Sequence, residues 1–147
     1  MKNILLLGAT GSIGDSALDV ISQNPESLNL YGMAFNSNIQ KAEVISNKFS
    51  PNYIYIENPA NKKALIEAVD TKTEILSGKN ELHSLLNDPK VDVIISAISG
   101  FSGLETTLIA VRNGKTTLLA YIEWIVATGE LVLHLTKRFN TEKNNIS

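Results

Sequence analysis

The sequence contains no cysteine, which excludes disulfides, thiolate metal sites and cysteine nucleophiles and fits a reducing compartment. Histidine is nearly as scarce. His83 and His134 each fall in a predicted helix, with no second histidine at ligand spacing, and both read as structural or solvent-facing. Neither sign of charge dominates: 13 Lys+Arg stand against 15 Asp+Glu, a formal net charge of -2. Nucleic acid and anionic membrane surfaces call for a basic surplus, so no partner of either kind is expected. No uninterrupted apolar run approaches the ~20 residues that span a bilayer. Met1-Lys2-Asn3 leads straight into an apolar run and then glycines, so neither a signal peptide nor a transit peptide is expected. What the chain does have is 147 residues, 44% of them hydrophobic and 19% charged. A chain of that size buries roughly two-thirds of its unfolded surface on folding, enough for a core without staples. The expectation is one cytoplasmic domain spanning residues 1–147.

Short β-branched runs alternate with amphipathic stretches of about a dozen residues. Strands are predicted at Ile4–Leu7, Leu28–Phe35, Tyr53–Ile56, Glu74–Leu76, Val91–Ile95 and Thr116–Ala120. Helices are predicted at Ser12–Ser22, Ile39–Phe49, Pro59–Val69, Asn80–Leu86, Leu104–Arg112 and Ile125–Arg138. The punctuation agrees: Asn24-Pro25 stops the first helix, Asn36-Ser37-Asn38 opens the second, and Asn113-Gly114 suits a left-handed cap. Strands alternating with helices predict an α/β fold, a doubly wound and mostly parallel sheet of Rossmann-like type.

The most informative stretch is Gly8-Ala9-Thr10-Gly11-Ser12-Ile13-Gly14, where the first strand gives way to the first helix. One glycine permits the tight turn, the next lets backbone approach a pyrophosphate, and the third lets helix pack on strand. The helix N-terminus then offers unpaired N–H groups and the positive end of its dipole. Thr10 and Ser12 add hydroxyls. The spacing is Gly-x-x-Gly-x-x-Gly rather than the standard Gly-x-Gly-x-x-Gly. The competing explanation is a plain glycine turn that binds nothing.

Cofactor choice is read one strand later. An NAD site places an Asp or Glu at the end of the second strand, on the ribose 2′-hydroxyl. Here that end reads Ala34-Phe35-Asn36-Ser37-Asn38, without an acid. Ser37 and the Asn side chains can donate to a 2′-phosphate, so NADPH is favoured over NADH. The plainer reading makes these residues helix caps only, and the two roles are compatible. Lys41 is close enough to Asn38 to assist a 2′-phosphate, although a helix-surface lysine is more often simply solvated. Asp92, in a predicted strand, reads as a solvating group at the strand end.

These residues resemble the start of the 1-deoxy-D-xylulose 5-phosphate reductoisomerase family. The likeness rests on Gly8 to Gly14 with the following Asp15 to Ile21 and Asn24-Pro25, on Ala34 to Asn38, on Val91 to Gly103, and on Gly114 to Ala120. It covers essentially residues 1 to 140. The resemblance implies an enzyme that uses NADPH and a divalent metal, Mg or Mn, to rearrange and reduce 1-deoxy-D-xylulose 5-phosphate. The product is 2-C-methyl-D-erythritol 4-phosphate, an early intermediate of non-mevalonate isoprenoid synthesis. Carried over by position, it puts Gly8, Thr10, Gly11, Ser12 and Ile13 at the cofactor phosphates. Asn36, Ser37 and Asn38 lie towards the adenosine end, and Glu123 lies at the cofactor's active-site edge. The family is homodimeric and takes a phosphorylated sugar.

Two departures accompany the match. After Leu119-Ala120 the family reads Asn-Lys-Glu-Ser, its Asn meeting the cofactor and its Lys the substrate, whereas this chain reads Tyr121-Ile122-Glu123-Trp124. Ile122 in place of the Lys removes a cation from a site meant for a sugar phosphate. The family's metal-binding Asp-Ser-Glu does not occur in the 147 residues, and Glu142 to Ser147 is polar where a strand should continue, as a reading-frame slip would leave it. Hence no catalytic or metal-ligating residue is assigned. The chain is expected to be the cofactor-binding part of such an enzyme, inactive alone, with the family's catalytic and C-terminal domains absent. The alternatives are a non-catalytic interaction module using Tyr121, Ile122 and Trp124, or a decayed fragment.

Overall fold

The structure is a computed structural model that describes residues 1–69, 72–97 and 116–119. Six parallel strands are found among them: β1 (Lys2–Leu7), β2 (Leu28–Phe35), β3 (Tyr53–Ile56), β4 (Glu74–Leu76), β5 (Val93–Ser96) and β6 (Thr116–Leu119). Between them lie α1 (Ser12–Gln23), α2 (Ile39–Phe49), α3 (Lys62–Ala68) and α4 (Lys79–Leu86). The sheet order is β4-β3-β2-β1-β5-β6. The chain winds outward from β1 to β4, then returns to the other side of β1 for β5.

That reversal dictates which face each helix covers. Crossovers between parallel strands are right-handed, so a helix lies on the opposite face once the direction of winding changes. Ala17, Leu18, Val20 and Ile21 of α1, Ala42 and Ile45 of α2, and Leu65 of α3 pack on one face with Ile4, Leu6, Ile54, Ile56, Val93 and Ile95. Leu85 and Leu86 of α4 pack on the other, with Leu5, Leu7, Tyr55 and Ile94. Residues in a strand alternate between faces, so a strand buried on both sides reads as a continuous apolar run. Ile4 to Leu7 does so, each residue at most 1% exposed.

One strand breaks its own alternation. Leu28 and Leu30 share a face with Met33 and Phe35, an even-to-odd change of phase. The pairing explains it: Ile4 lies opposite Leu30 but Leu5 opposite Gly32, so Tyr31 is an extra residue in β2. Its ring turns to the α4 face, where its hydroxyl donates to the Asp88 carboxylate. Burial first, then the hydrogen bond and charge of Asp88, push the Tyr31 phenol well above the ordinary tyrosine range.

Several predicted boundaries need correction. Pro59–Asn61 is a separate 3-10 turn ahead of α3, opened by Asn58, whose side chain accepts from the Ala60 N–H. The strand expected at Val91 begins at Val93, β1 starts at Lys2, and α1 runs to Gln23. Asp92 precedes β5 and bonds twice to Asn3: its carboxylate accepts from the Asn3 N–H at 2.8 Å, and its own N–H donates to the Asn3 carbonyl at 2.9 Å. Both groups sit at the amino ends of β1 and β5, so Asp92 is structural. The predicted helices Leu104–Arg112 and Ile125–Arg138, and Ala120 at the end of the last predicted strand, lie outside the described residues.

Candidate functional site

In an open α/β sheet, ligands bind beyond the carboxyl ends of the strands where the order of winding reverses. Here that point is between β1 and β5. The glycine loop leaves β1 there, and Asn36 to Asn38 leaves the neighbouring β2. The sequence-predicted residues on both loops therefore share one rim of the sheet.

The three glycines of the loop do different work. Gly8 has φ of 86°, a left-handed conformation that glycine adopts without penalty. At Gly14 a methyl group would stand 2.5 Å from the carbonyl oxygens of both Gly8 and Ala9, so the first turn of α1 lies directly on the loop only because no side chain intervenes. Gly11 is different. Its φ is -82°, and a methyl group there would meet only the Gly8 carbonyl oxygen, at an ordinary 3.6 Å. Gly8 and Gly14 thus serve the fold, whereas Gly11 leaves exposed space over the loop that the fold itself does not use.

Gly11 is also the N-cap of α1 and has no side chain to give. Its carbonyl accepts the Asp15 N–H at 2.9 Å, closing the first helical turn. As the N-cap, Gly11 gives no side-chain bond to the leading N–H groups of the helix, at Ser12, Ile13 and Gly14, which start at the sheet rim. Donors of this kind, with the helix dipole behind them, favour an anion.

The two loops are fastened together twice. The Ala34 carbonyl in β2 accepts from both the Gly8 N–H (2.8 Å) and the Ala9 N–H (3.0 Å). Farther out, the Lys41 ammonium donates to the Thr10 carbonyl at 2.9 Å and pairs with the Asp15 carboxylate at 2.8 Å. Lys41 reaches there because Asn38 caps α2, its side-chain oxygen accepting the Lys41 N–H at 3.1 Å. Asn36, Ser37 and Asn38 are all exposed, and no carboxylate occurs between Ala34 and Ala42.

At the end of β5, opposite Leu7, the Ser96 hydroxyl is buried with no hydrogen-bond partner among the described residues. It adds an unsatisfied polar atom beside the glycine loop; Ser96 falls in the Val91 to Gly103 segment that carries the resemblance, but no role for its hydroxyl was legible there. Lys41 was legible only as a residue near Asn38, and its contact with Asp15 was not. His83 is exposed on α4, where its carbonyl caps the helix end through the Asn87 N–H. Glu123 and His134 lie outside the described residues, as do Tyr121, Ile122 and Trp124.

Comparison with known proteins bears on the family and the fold. A family model described as 1-deoxy-D-xylulose 5-phosphate reductoisomerase matches residues 4–129. The chain belongs to that family. The reductoisomerase of Ruthia magnifica is 35% identical over 142 residues, which cover 97% of this chain and 37% of that protein. A crystal structure of DOX-P reductoisomerase in complex with NADPH, fosmidomycin and magnesium superposes with a TM-score of 0.76. It is 36% identical, over 94% of this chain and 34% of that one. The Zymomonas mobilis reductoisomerase in complex with NADPH gives 0.74 at 30% identity, over 93% of this chain and 36% of that one. The chain thus spans little more than a third of the length of the reductoisomerases it matches. The expected Rossmann-like, doubly wound fold is that of these relatives. Among the described residues no helix is long and apolar enough to cross a membrane, and no group of three His, Asp or Glu side chains meets as a metal site.

Proposed function

We propose that this chain is the NADPH-binding portion of a 1-deoxy-D-xylulose 5-phosphate reductoisomerase, a single cytoplasmic domain over residues 1–147. The observation that carries the reading is Gly11: the fold leaves its side unfilled at an N-cap of α1 that has no side chain, where a pyrophosphate needs backbone contact. The rim residues fit the cofactor. Gly8 makes the turn, Thr10 to Ile13 present backbone and hydroxyl groups to the phosphates, and Asn36, Ser37 and Asn38 receive the adenosine end. The absence of a carboxylate at the end of β2 supports NADPH over NADH. Glu123 is assigned to the cofactor's active-site edge from the family match alone.

When bound, NADPH supplies the hydride that the family's reaction transfers; the chain's own residues supply placement. The reaction proposed for the whole enzyme converts 1-deoxy-D-xylulose 5-phosphate to 2-C-methyl-D-erythritol 4-phosphate with a divalent metal. A homodimer is proposed for that whole enzyme. The 147 residues by themselves are proposed not to turn over, since Ile122 stands where the family places a substrate-binding lysine and cannot pair with a phosphate.

Calorimetric titration of the chain with NADPH and NADH tests the reading. Saturable NADPH binding with a weaker NADH isotherm is expected. A folded chain that binds neither nucleotide refutes it and favours the interaction-module alternative, for which self-association indifferent to NADPH is the signature.

A further inference from the structure

The end of β2 offers a 2′-phosphate hydroxyl and amide groups, yet full recognition of a dianion calls for a cation. From Ala34 to Ala42 the one basic residue is Lys41. Its ammonium lies between the two loops, 2.9 Å from the Thr10 carbonyl and 2.8 Å from the Asp15 carboxylate. On the NADPH reading, a nucleotide with its pyrophosphate on the glycine loop and its adenosine ribose at Asn36–Asn38 would pass across that gap. The side chains of the pair are 32% and 53% exposed, so solvent and ligand both reach it.

We propose that Lys41 is the specificity-determining cation for the 2′-phosphate and that Asp15 is its resting counter-ion. This inference rests on the NADPH reading above. An exposed lysine–carboxylate pair is weakly held. A phosphate monoester carries about two negative charges at neutral pH and offers three acceptor oxygens, against one charge on the carboxylate. The ammonium therefore exchanges Asp15 for the phosphate by rotation of its own flexible stem, while NADH, with a hydroxyl at that position, leaves the ion pair closed. Asp15 sharpens the choice by competing for Lys41 whenever the phosphate is missing.

The test compares NADPH and NADH affinities at one low salt concentration for the wild-type chain, K41M, K41R and D15N, each checked by thermal melting. Loss of a charged hydrogen bond to phosphate predicts NADPH binding weakened about tenfold or more in K41M, with NADH unchanged. K41R keeps the preference, and D15N widens the NADPH-over-NADH ratio by about two- to fivefold, the range of a surface ion pair. If K41M weakens both nucleotides equally, Lys41 only holds the Thr10 carbonyl and the proposal is overturned; an unchanged ratio overturns it as well. In either case wild-type binding of NADPH leaves the cofactor reading standing, whereas a wild-type chain that binds neither nucleotide removes both.

Discussion

Gly11 and Gly14 are three residues apart in one motif, and the structure predicts opposite phenotypes for the same substitution. In Gly14→Ala the new methyl would lie 2.5 Å from two backbone carbonyl oxygens, those of Gly8 and Ala9. Carbon–oxygen contacts are normally about 3.3 Å or longer, so each is short by nearly an ångström. Neither oxygen belongs to a side chain that can rotate away; both belong to the turn that Gly8 and the Ala34 carbonyl hold in place. Overpacking of this kind costs about 1–3 kcal/mol and occasionally more. The gain in helix propensity from Gly to Ala, about 1 kcal/mol, offsets part of it.

The net loss of up to about 2 kcal/mol lowers the melting temperature by up to roughly 8 °C in a chain of this length. In Gly11→Ala the methyl finds an ordinary 3.6 Å contact and a φ that alanine tolerates. Stability should stay within about 0.5 kcal/mol of wild type, because the poorer N-cap is balanced by a less flexible unfolded chain. NADPH binding should fall by an order of magnitude or more in Gly11→Ala, since the methyl occupies the ligand's side of the loop. Thermal melts paired with NADPH titrations separate the two effects. If Gly11→Ala melts as low as Gly14→Ala, or binds NADPH like wild type, the division of labour within the loop is wrong.

Ser37→Asp places a carboxylate at the exposed end of β2 and should reverse the nucleotide preference towards NADH, read from the ratio of the two dissociation constants. Asn38→Ala removes the cap on the Lys41 N–H and should destabilise by about 0.5–2 kcal/mol in chemical denaturation. Because the Tyr31 phenol is raised in the folded chain, it resists ionising while the unfolded chain ionises above about pH 10. Its contribution is therefore present below that pH and lost as the pH climbs. Tyr31→Phe should flatten the alkaline limb of the stability profile while costing about 1–2 kcal/mol at neutral pH through the lost bond to Asp88; an unchanged alkaline limb refutes the assignment.

Much of the described fold was legible because its strands are short, doubly buried and punctuated. Leu28–Phe35, Ile39–Phe49, Tyr53–Ile56 and Glu74–Leu76 end where the caps, glycines and apolar runs say they end. The failures are physical rather than random. Val91 is as buried and β-branched as the strand it precedes, so composition alone extends β5 by two residues. The extra residue at Tyr31 depends on which β1 residue each β2 residue faces, information that exists only once the strands pair. Likewise the glycine loop was visible in one stretch of sequence, but its tie through Lys41 joins residues 26 positions apart and two helices that the sequence cannot orient.

The spacing of the glycines illustrates how a departure from a standard motif is absorbed. Gly-x-x-Gly-x-x-Gly places one more residue between the first two glycines than the usual fingerprint. In this loop the extra length is taken up close to the strand. Ala9 is fully buried and donates to the same Ala34 carbonyl as Gly8, and the Gly11 N–H turns back to the Gly8 carbonyl at 3.3 Å. The chain then reaches Gly11 as an extended N-cap and enters α1 with no side-chain bond from that cap. What a pyrophosphate requires is a bare N-cap, a helix start at the sheet rim and helix–loop contact close enough to aim it. On the proposed reading Gly11, Ser12 and Gly14 supply those features whatever the count of residues before them. The physical content of the motif therefore lies in the second and third glycines, and the first serves the turn.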